Sequence, residues 1–374
     1  MVIAVNTIFT TGGFFYGLHD FIVTSFSKLA QQFPQHQFVY FIDDYFEERN
    51  ITSKNIIALK VTGASGSPIK LQYRLNYKIP ALLKKHKADI FVNAGGCCSL
   101  RTKVPQCIII NDLSFLHHPD FFRGSWLRFY KTKTLKFLQK AKTIITTSQF
   151  LKQEIVDHYK IANNKIDVAY FGINQHFKPV TWEEREAIQK KYTEGVEYFL
   201  YSGPIEPQKD LMQLLKAFSF FKKRQKSNMQ LVLASASSVT DAELVKSLSS
   251  FKYKKEVHLL ASPSVETLAA ITASAYALVY ISDYDGAAVS LTQAMQADVP
   301  IITNKNTAIK EICADAALYC NNNDFNDIAD KMMLLFKDED KRNQLIKKGK
   351  EQAGLYTWEM IKASLWMAIE KCAN

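Results

Sequence analysis

The chain has 374 residues, with 47 Lys+Arg against 36 Asp+Glu and a formal net charge of +11. That length exceeds one ordinary hydrophobic core and predicts two domains, while 47% hydrophobic and 22% charged residues exclude a disordered chain. No window holds 18 uninterrupted apolar residues, so no membrane-spanning helix is predicted.

The opening Met1-Val2-Ile3-Ala4-Val5-Asn6 lacks the basic start and cleavage site of a signal peptide and reads as a buried strand. Strands are predicted at Val2–Val5, Gln37–Ile42, Ile56–Leu59, Ile90–Asn93, Gln106–Ile110, Thr143–Thr146 and Ile166–Val168. Helices are predicted near Leu18–Gln32, Tyr73–Lys85, Trp126–Lys140 and Gln149–Tyr159. Residues 179–196, with Pro179 and the charged helical segment Trp182–Tyr192, read as a linker. The pattern then restarts. Strands are predicted at Tyr198–Tyr201, Met229–Ala234, Val257–Leu260, Ala277–Ile281 and Pro300–Thr303, with helices at Asp210–Lys222 and Ala242–Leu248. Short apolar runs alternating with helices build parallel sheets covered on both faces. The fold class is therefore α/β, with two Rossmann-like domains at 1–178 and 197–356. Their sheets are expected to face across a cleft, with ligand outside the carboxyl ends of the strands.

Charge divides unevenly: residues 1–178 hold 23 Lys+Arg and 11 Asp+Glu, the remainder 24 and 25. The basic stretches Lys78 to Lys87 and Arg123 to Lys142 point either to an anionic partner, such as a membrane surface, or to a solvated face without one. No nucleic-acid recognition module stands out. The six cysteines, Cys97, Cys98, Cys107, Cys313, Cys320 and Cys372, show no zinc spacing and read as buried thiols in a reducing cytoplasm.

The most informative stretch is Asp285-Gly286-Ala287-Ala288-Val289-Ser290-Leu291-Thr292-Gln293, followed by Val299-Pro300. A short polar loop opens onto a helix, whose first N–H groups and positive dipole end suit phosphate. The stretch resembles the donor-sugar motif of the family 4 glycosyltransferases, retaining enzymes of the GT-B fold. That motif carries a Glu at each end of an eight-residue step; here the two positions hold Asp285 and Gln293. Asn111-Asp112-Leu113-Ser114-Phe115-Leu116, Thr146-Thr147-Ser148-Gln149-Phe150, Phe171-Gly172-Ile173-Asn174 and Ser202-Gly203-Pro204-Ile205-Glu206-Pro207-Gln208-Lys209-Asp210-Leu211 are similar to further family segments, in the family's order. Asn111 stands where the family has His, and Pro204 where many relatives have Arg.

The resemblance implies transfer of a sugar from a nucleotide-diphosphate donor to a glycan or lipid-linked hydroxyl acceptor, in cell-surface polysaccharide or glycolipid synthesis. Lys209 and Asp285 are the implied catalytic residues. Gly203, Lys209, Asp285, Gly286, Ala287, Ala288, Val289 and Gln293 would bind donor, and Gly12, Gly13 and Asn111 would serve the acceptor or phosphate side. A fixed cation stabilises charge on a departing diphosphate, and Gln293 would meet ribose with a neutral amide in place of a charged group. No metal or other cofactor is expected. His117 and His118 read as packing or surface residues. The resemblance also returns the terminal helix, 357–374, to the first domain. The expected location is cytoplasmic, at most peripheral to the membrane. The loss of both signature Glu residues, the His and the Arg keeps a second function open: a GT-B scaffold that binds glycan or a partner protein without catalysis.

Overall fold

The computed structural model describes residues 1–8, 18–43, 46, 51–61, 66–172, 174–205, 211–235 and 242–374. Two units emerge, one of residues 1–172 with 358–374, the other of residues 173–357. The charged helical segment read at Trp182–Tyr192 is the helix Trp182–Thr193, and it lies inside the second unit. A capping box explains that helix. Thr181 accepts from the Glu184 amide while the Glu184 carboxylate accepts from the Thr181 amide.

The first unit has seven parallel strands: β1 (Val2–Asn6), β2 (Gln37–Ile42), β3 (Ile56–Lys60), β4 (Ile90–Ala94), β5 (Gln106–Ile110), β6 (Thr143–Thr146) and β7 (Ile166–Val168), in the order β3-β2-β1-β4-β5-β6-β7. Residues such as Val5, Phe41, Val92, Ile109 and Ile145 are sealed from solvent, as near-continuous apolar strands require when helices cover both faces. The second unit repeats the plan with β8 (Tyr198–Ser202), β9 (Gln230–Ser235), β10 (Val257–Ala261), β11 (Ala277–Tyr280), β12 (Ile301–Asn304) and β13 (Ala317–Cys320), ordered β10-β9-β8-β11-β12-β13. In each sheet the winding reverses between the first and fourth strands, and that reversal opens a crevice at the strands' carboxyl ends.

The helix predicted at Tyr73–Lys85 begins earlier, at Pro68. Proline suits a first helical position, where no N–H is needed, and Ser67 caps the Lys70 amide. Its middle, Arg74–Lys78, is a π-helical turn two residues before Pro80. A helical proline crowds the carbonyl four residues back, here that of Asn76, and the wider turn accommodates it.

The helix Trp358–Ala373 closes the first unit. Ile361, Leu365, Ala368, Ile369 and Cys372 are buried, Lys371 pairs with Asp167 at 2.8 Å, and Trp366 stacks on Phe33 with centroids 3.8 Å apart. Trp358 lies against Gly172, where an added Cβ would fall 2.6 Å from the indole, so only glycine fits. The six cysteines are buried free thiols, and burial pushes Cys98 and Cys320 up to about 12. Among the described residues, no helix is long and apolar enough to cross a membrane.

Leu365→Ala should destabilise the first unit by about 2–5 kcal/mol, the usual cost of a cavity at a fully buried leucine. The check is a lowered urea midpoint with an unchanged slope.

Candidate functional site

The winding of the second sheet reverses between β8 and β11, and a tyrosine lies near the end of each, Tyr201 one residue before the end of β8 and Tyr280 at the end of β11. Tyr201 and Tyr280 are buried, with rings parallel to within 5° and centroids 5.7 Å apart. Tyr201 Oη donates to the Pro204 carbonyl at 2.7 Å, which anchors the loop leaving β8. Gly203 sits on this pair. A Cβ there would come within 3.0 Å of Tyr201 Oη and 3.1 Å of the Tyr280 ring, so a side chain would force the aromatic layer apart.

Tyr280 Oη donates to Asp285 Oδ2. Burial first, then the adjacent carboxylate, pushes the Tyr280 phenol well above its ordinary value, so it remains a neutral donor. Asp285 Oδ1 accepts from the amides of Ala287 and Ala288, at 2.9 and 2.7 Å. The carboxylate therefore curls over its own turn, as short polar side chains do ahead of helices. Its backbone is held as well: the amide donates to Thr307 Oγ1 at 3.2 Å, and the carbonyl accepts from Ala308 at 3.2 Å.

The turn is also fastened from the loop after β12. Asn304 Oδ1 accepts from the Ser282 amide and Nδ2 donates to the Ser282 carbonyl; Asn306 Nδ2 donates to the Ser282 and Asp283 carbonyls. Asn306 Oδ1 is buried without a partner among the described residues. Ala288 and Thr307 have φ of +50° and +55°, a left-handed conformation that costs an L-residue roughly 1–2 kcal/mol. Such strain persists where surrounding bonds over-determine the backbone, and here they do.

The helix Val289–Gln296 starts directly from Ala288 and has no side-chain cap. Two leading amides, those of 287 and 288, already face Asp285. Among the described residues, those of Val289 and Ser290 have no acceptor. Within the stretch 286–289, the amides of Ala287 and Ala288 are thus already engaged by Asp285. Gln293 lies one turn into the helix, half-buried. Asp285, Gly286, Ala287, Ala288, Val289 and Gln293 therefore share one strand-to-helix turn, and Gly203 directly follows the neighbouring strand β8. Lys209, Gly12 and Gly13 lie outside the described residues.

In the first unit, Asn111 follows β5 and lines a pocket with Gly95, Gly96, Asp112, Phe115 and Tyr130. Gly95 and Gly96 have φ of +86° and +70°, so this double turn after β4 requires glycine. At the reversal between β1 and β4, Asn6 Nδ2 donates to Asn93 Oδ1 at 2.7 Å, and Asn93 Nδ2 to the Cys97 carbonyl at 2.7 Å. Asn6 Oδ1 is buried without a donor among the described residues.

Sequence reasoning passed over the tyrosine pair, Thr307 and the Gly95-Gly96 turn. Gly-Gly directly after an apolar strand was a signal open to use. The tyrosines gave none, since an aromatic strand residue looks like ordinary core.

Residues 28–177 match the model described as Glycosyltransferase Family 4, and residues 182–352 that described as Glycosyl transferases group 1. The chain is 24% identical over 250 residues to O-antigen chain mannosyltransferase B of Escherichia coli, covering 67% of this chain and 66% of that protein. It is 26% identical over 291 residues to O-antigen chain mannosyltransferase RfbU of Salmonella typhimurium, covering 75% of each. HepE of Anabaena, solved in complex with UDP and glucose, superposes with a TM-score of 0.74 at 12% identity over 99% of both chains.

Tyr280→Phe removes the charge-assisted bond to Asp285 and should cost roughly 1.5–3 kcal/mol of stability in the second unit. A shift of the denaturation midpoint, with unchanged far-ultraviolet circular dichroism, checks it.

Proposed function

Since the chain belongs to the family 4 glycosyltransferases, we propose that it transfers a sugar from a nucleotide-diphosphate donor to a hydroxyl of a cell-surface glycan or lipid-linked acceptor. Mannose is the first sugar to test, because both curated relatives above are named mannosyltransferases. One observation carries the reading: an uncapped helix begins at the reversal of the second sheet, beside a fixed carboxylate, within the segment that matches the group 1 model.

In this proposal the Val289 and Ser290 amides and the Lys209 ammonium take the diphosphate. Their charges are in place before the bond breaks, so none must reorganise as negative charge develops on the leaving group. Asp285 borders the sugar and holds the turn that presents those amides. Gln293 bonds ribose, and Gly203 keeps the floor of the site low. Gly12, Gly13 and Asn111 serve the acceptor or phosphate side. Asn111 cannot exchange a proton near neutral pH, so the departing phosphate takes the acceptor proton, and anomeric configuration is retained. No step is routed through a metal.

The proposed setting is cytoplasmic, peripheral to an anionic membrane. On the helical run from Pro68 to Lys85, Ile69, Tyr73 and Tyr77 recur every four residues and are 79%, 56% and 49% exposed. Lys70, Lys84 and Lys85 are exposed on the same run. Apolar side chains among lysines suit a headgroup interface, each nearby cation contributing about 1 kcal/mol.

The engagement of both Asp285 oxygens supports a second reading, a glycan-binding scaffold without turnover. A panel including GDP-mannose and UDP-glucose, with lipid-linked glycan acceptors, separates the two. The enzyme transfers or slowly hydrolyses at least one donor, whereas the scaffold does neither and binds no nucleoside diphosphate in calorimetry. Lys209→Ala should lower transfer on the order of 100-fold without shifting the melting temperature; equal turnover would remove Lys209 from the mechanism. Gln293→Glu should tighten nucleoside-diphosphate binding by roughly tenfold, read by the same calorimetry.

A further inference from the structure

Apart from the donor turn, the first unit gathers three metal-ligating side chains. His117 ends the short 3₁₀ turn Ser114–Leu116, which follows Asn111-Asp112. Glu154 and His158 lie four residues apart on the helix Gln149–Tyr159, a spacing that puts them on one face. One ligand atom from each of the three lies within 4.8 Å of the other two. The Glu154 carboxylate is buried at the base, with His117 Nε2 against its Oε1. The two imidazoles stand edge to face above it, centroids 5.8 Å apart, and both are exposed.

An ion pair alone needs His117 and Glu154. It does not account for the second imidazole converging on the same carboxylate. Two imidazoles and one carboxylate form a borderline-soft donor set that suits zinc and its divalent transition-metal neighbours, and not the hard, oxygen-seeking magnesium or calcium. The exposed side of the cluster leaves a fourth position open to water.

We propose that His117, Glu154 and His158 bind one divalent transition-metal ion of the zinc class. The ion would tie the turn after Asn111-Asp112 to the helix Gln149–Tyr159, and so steady the loop that carries Asn111. The site is separate from sugar transfer and holds whether or not that reading does. The six cysteines do not compete for the ion, because all are buried and burial pushes Cys97, Cys98, Cys107, Cys313, Cys320 and Cys372 upward as thiols.

The test uses the untagged full chain, stripped with chelator and titrated with zinc and with cobalt(II), the latter read by its visible absorption. The expected result is one equivalent of metal per chain, a rise in melting temperature, and a four-coordinate cobalt spectrum. His158→Ala, on an exposed helix face where alanine is well tolerated, should weaken binding beyond the roughly 10–100-fold that loss of an outer-sphere partner costs. Glu154→Gln should weaken it likewise, and His176→Ala, in the second unit, should leave it unchanged. No saturable binding, or equal affinity in wild type and His158→Ala, would overturn the proposal and leave His117–Glu154 as an ion pair.

Discussion

The carboxylate of Asp285 closes back onto the amides of Ala287 and Ala288 while its other oxygen receives the Tyr280 hydroxyl. The end of β11 and the start of the helix Val289–Gln296 are thereby locked at one point. Tyr280 in turn stacks on Tyr201, whose hydroxyl holds the loop after β8, and Gly203 leaves room for both rings. A glutamate at 285 would place its oxygens one bond farther out. It could not reach amides two and three residues ahead with the same ease, because that short-range closure belongs to Asp, Asn, Ser and Thr. Asp285 thus shapes the backbone of the turn, and among the described residues the amides of Val289 and Ser290 have no acceptor.

Both units follow one winding plan, yet their reversal points differ chemically. In the first, two carboxamides, Asn6 and Asn93, bond across β1 and β4. In the second, two phenol rings stack across β8 and β11. Polar groups buried at the strand ends hold loops by hydrogen bonds and leave an acceptor, Asn6 Oδ1, without a donor among the described residues. Stacked rings instead give a closely packed floor with hydroxyls at its rim. A shared topology therefore supports two surfaces of different character, and the donor machinery is proposed for the aromatic one.

Much of the fold was legible because parallel strands buried on both faces must be apolar throughout. The runs at Gln106–Ile110 and Thr143–Thr146 match β5 and β6 residue for residue. The helix read as Tyr73–Lys85 was entered five residues late, although Pro68 at its first position is a start signal. The charged helical segment read at Trp182–Tyr192 is the capped helix Trp182–Thr193, one residue longer at its end. At the site, the strand-to-helix frame could be read from Asp285 to Gln293, but the direction of the Asp285 side chain could not. A carboxylate before a helix serves equally as a cap or as a ligand contact, and only its partners decide. Thr307 was invisible for a related reason, since β-branched residues rarely take positive φ and no pattern announces one.

The return of Trp358–Ala373 to the first unit has a temporal meaning during synthesis. Residues 1–172 leave the ribosome long before the helix that covers them exists, while residues 173–357 contain everything their own sheet requires. The later half is therefore able to mature first, and the earlier half must wait with an apolar seam uncovered where Leu365 and Ile369 will lie. Nascent chains of this architecture carry a window of vulnerability to aggregation set by the time needed to translate an entire intervening domain.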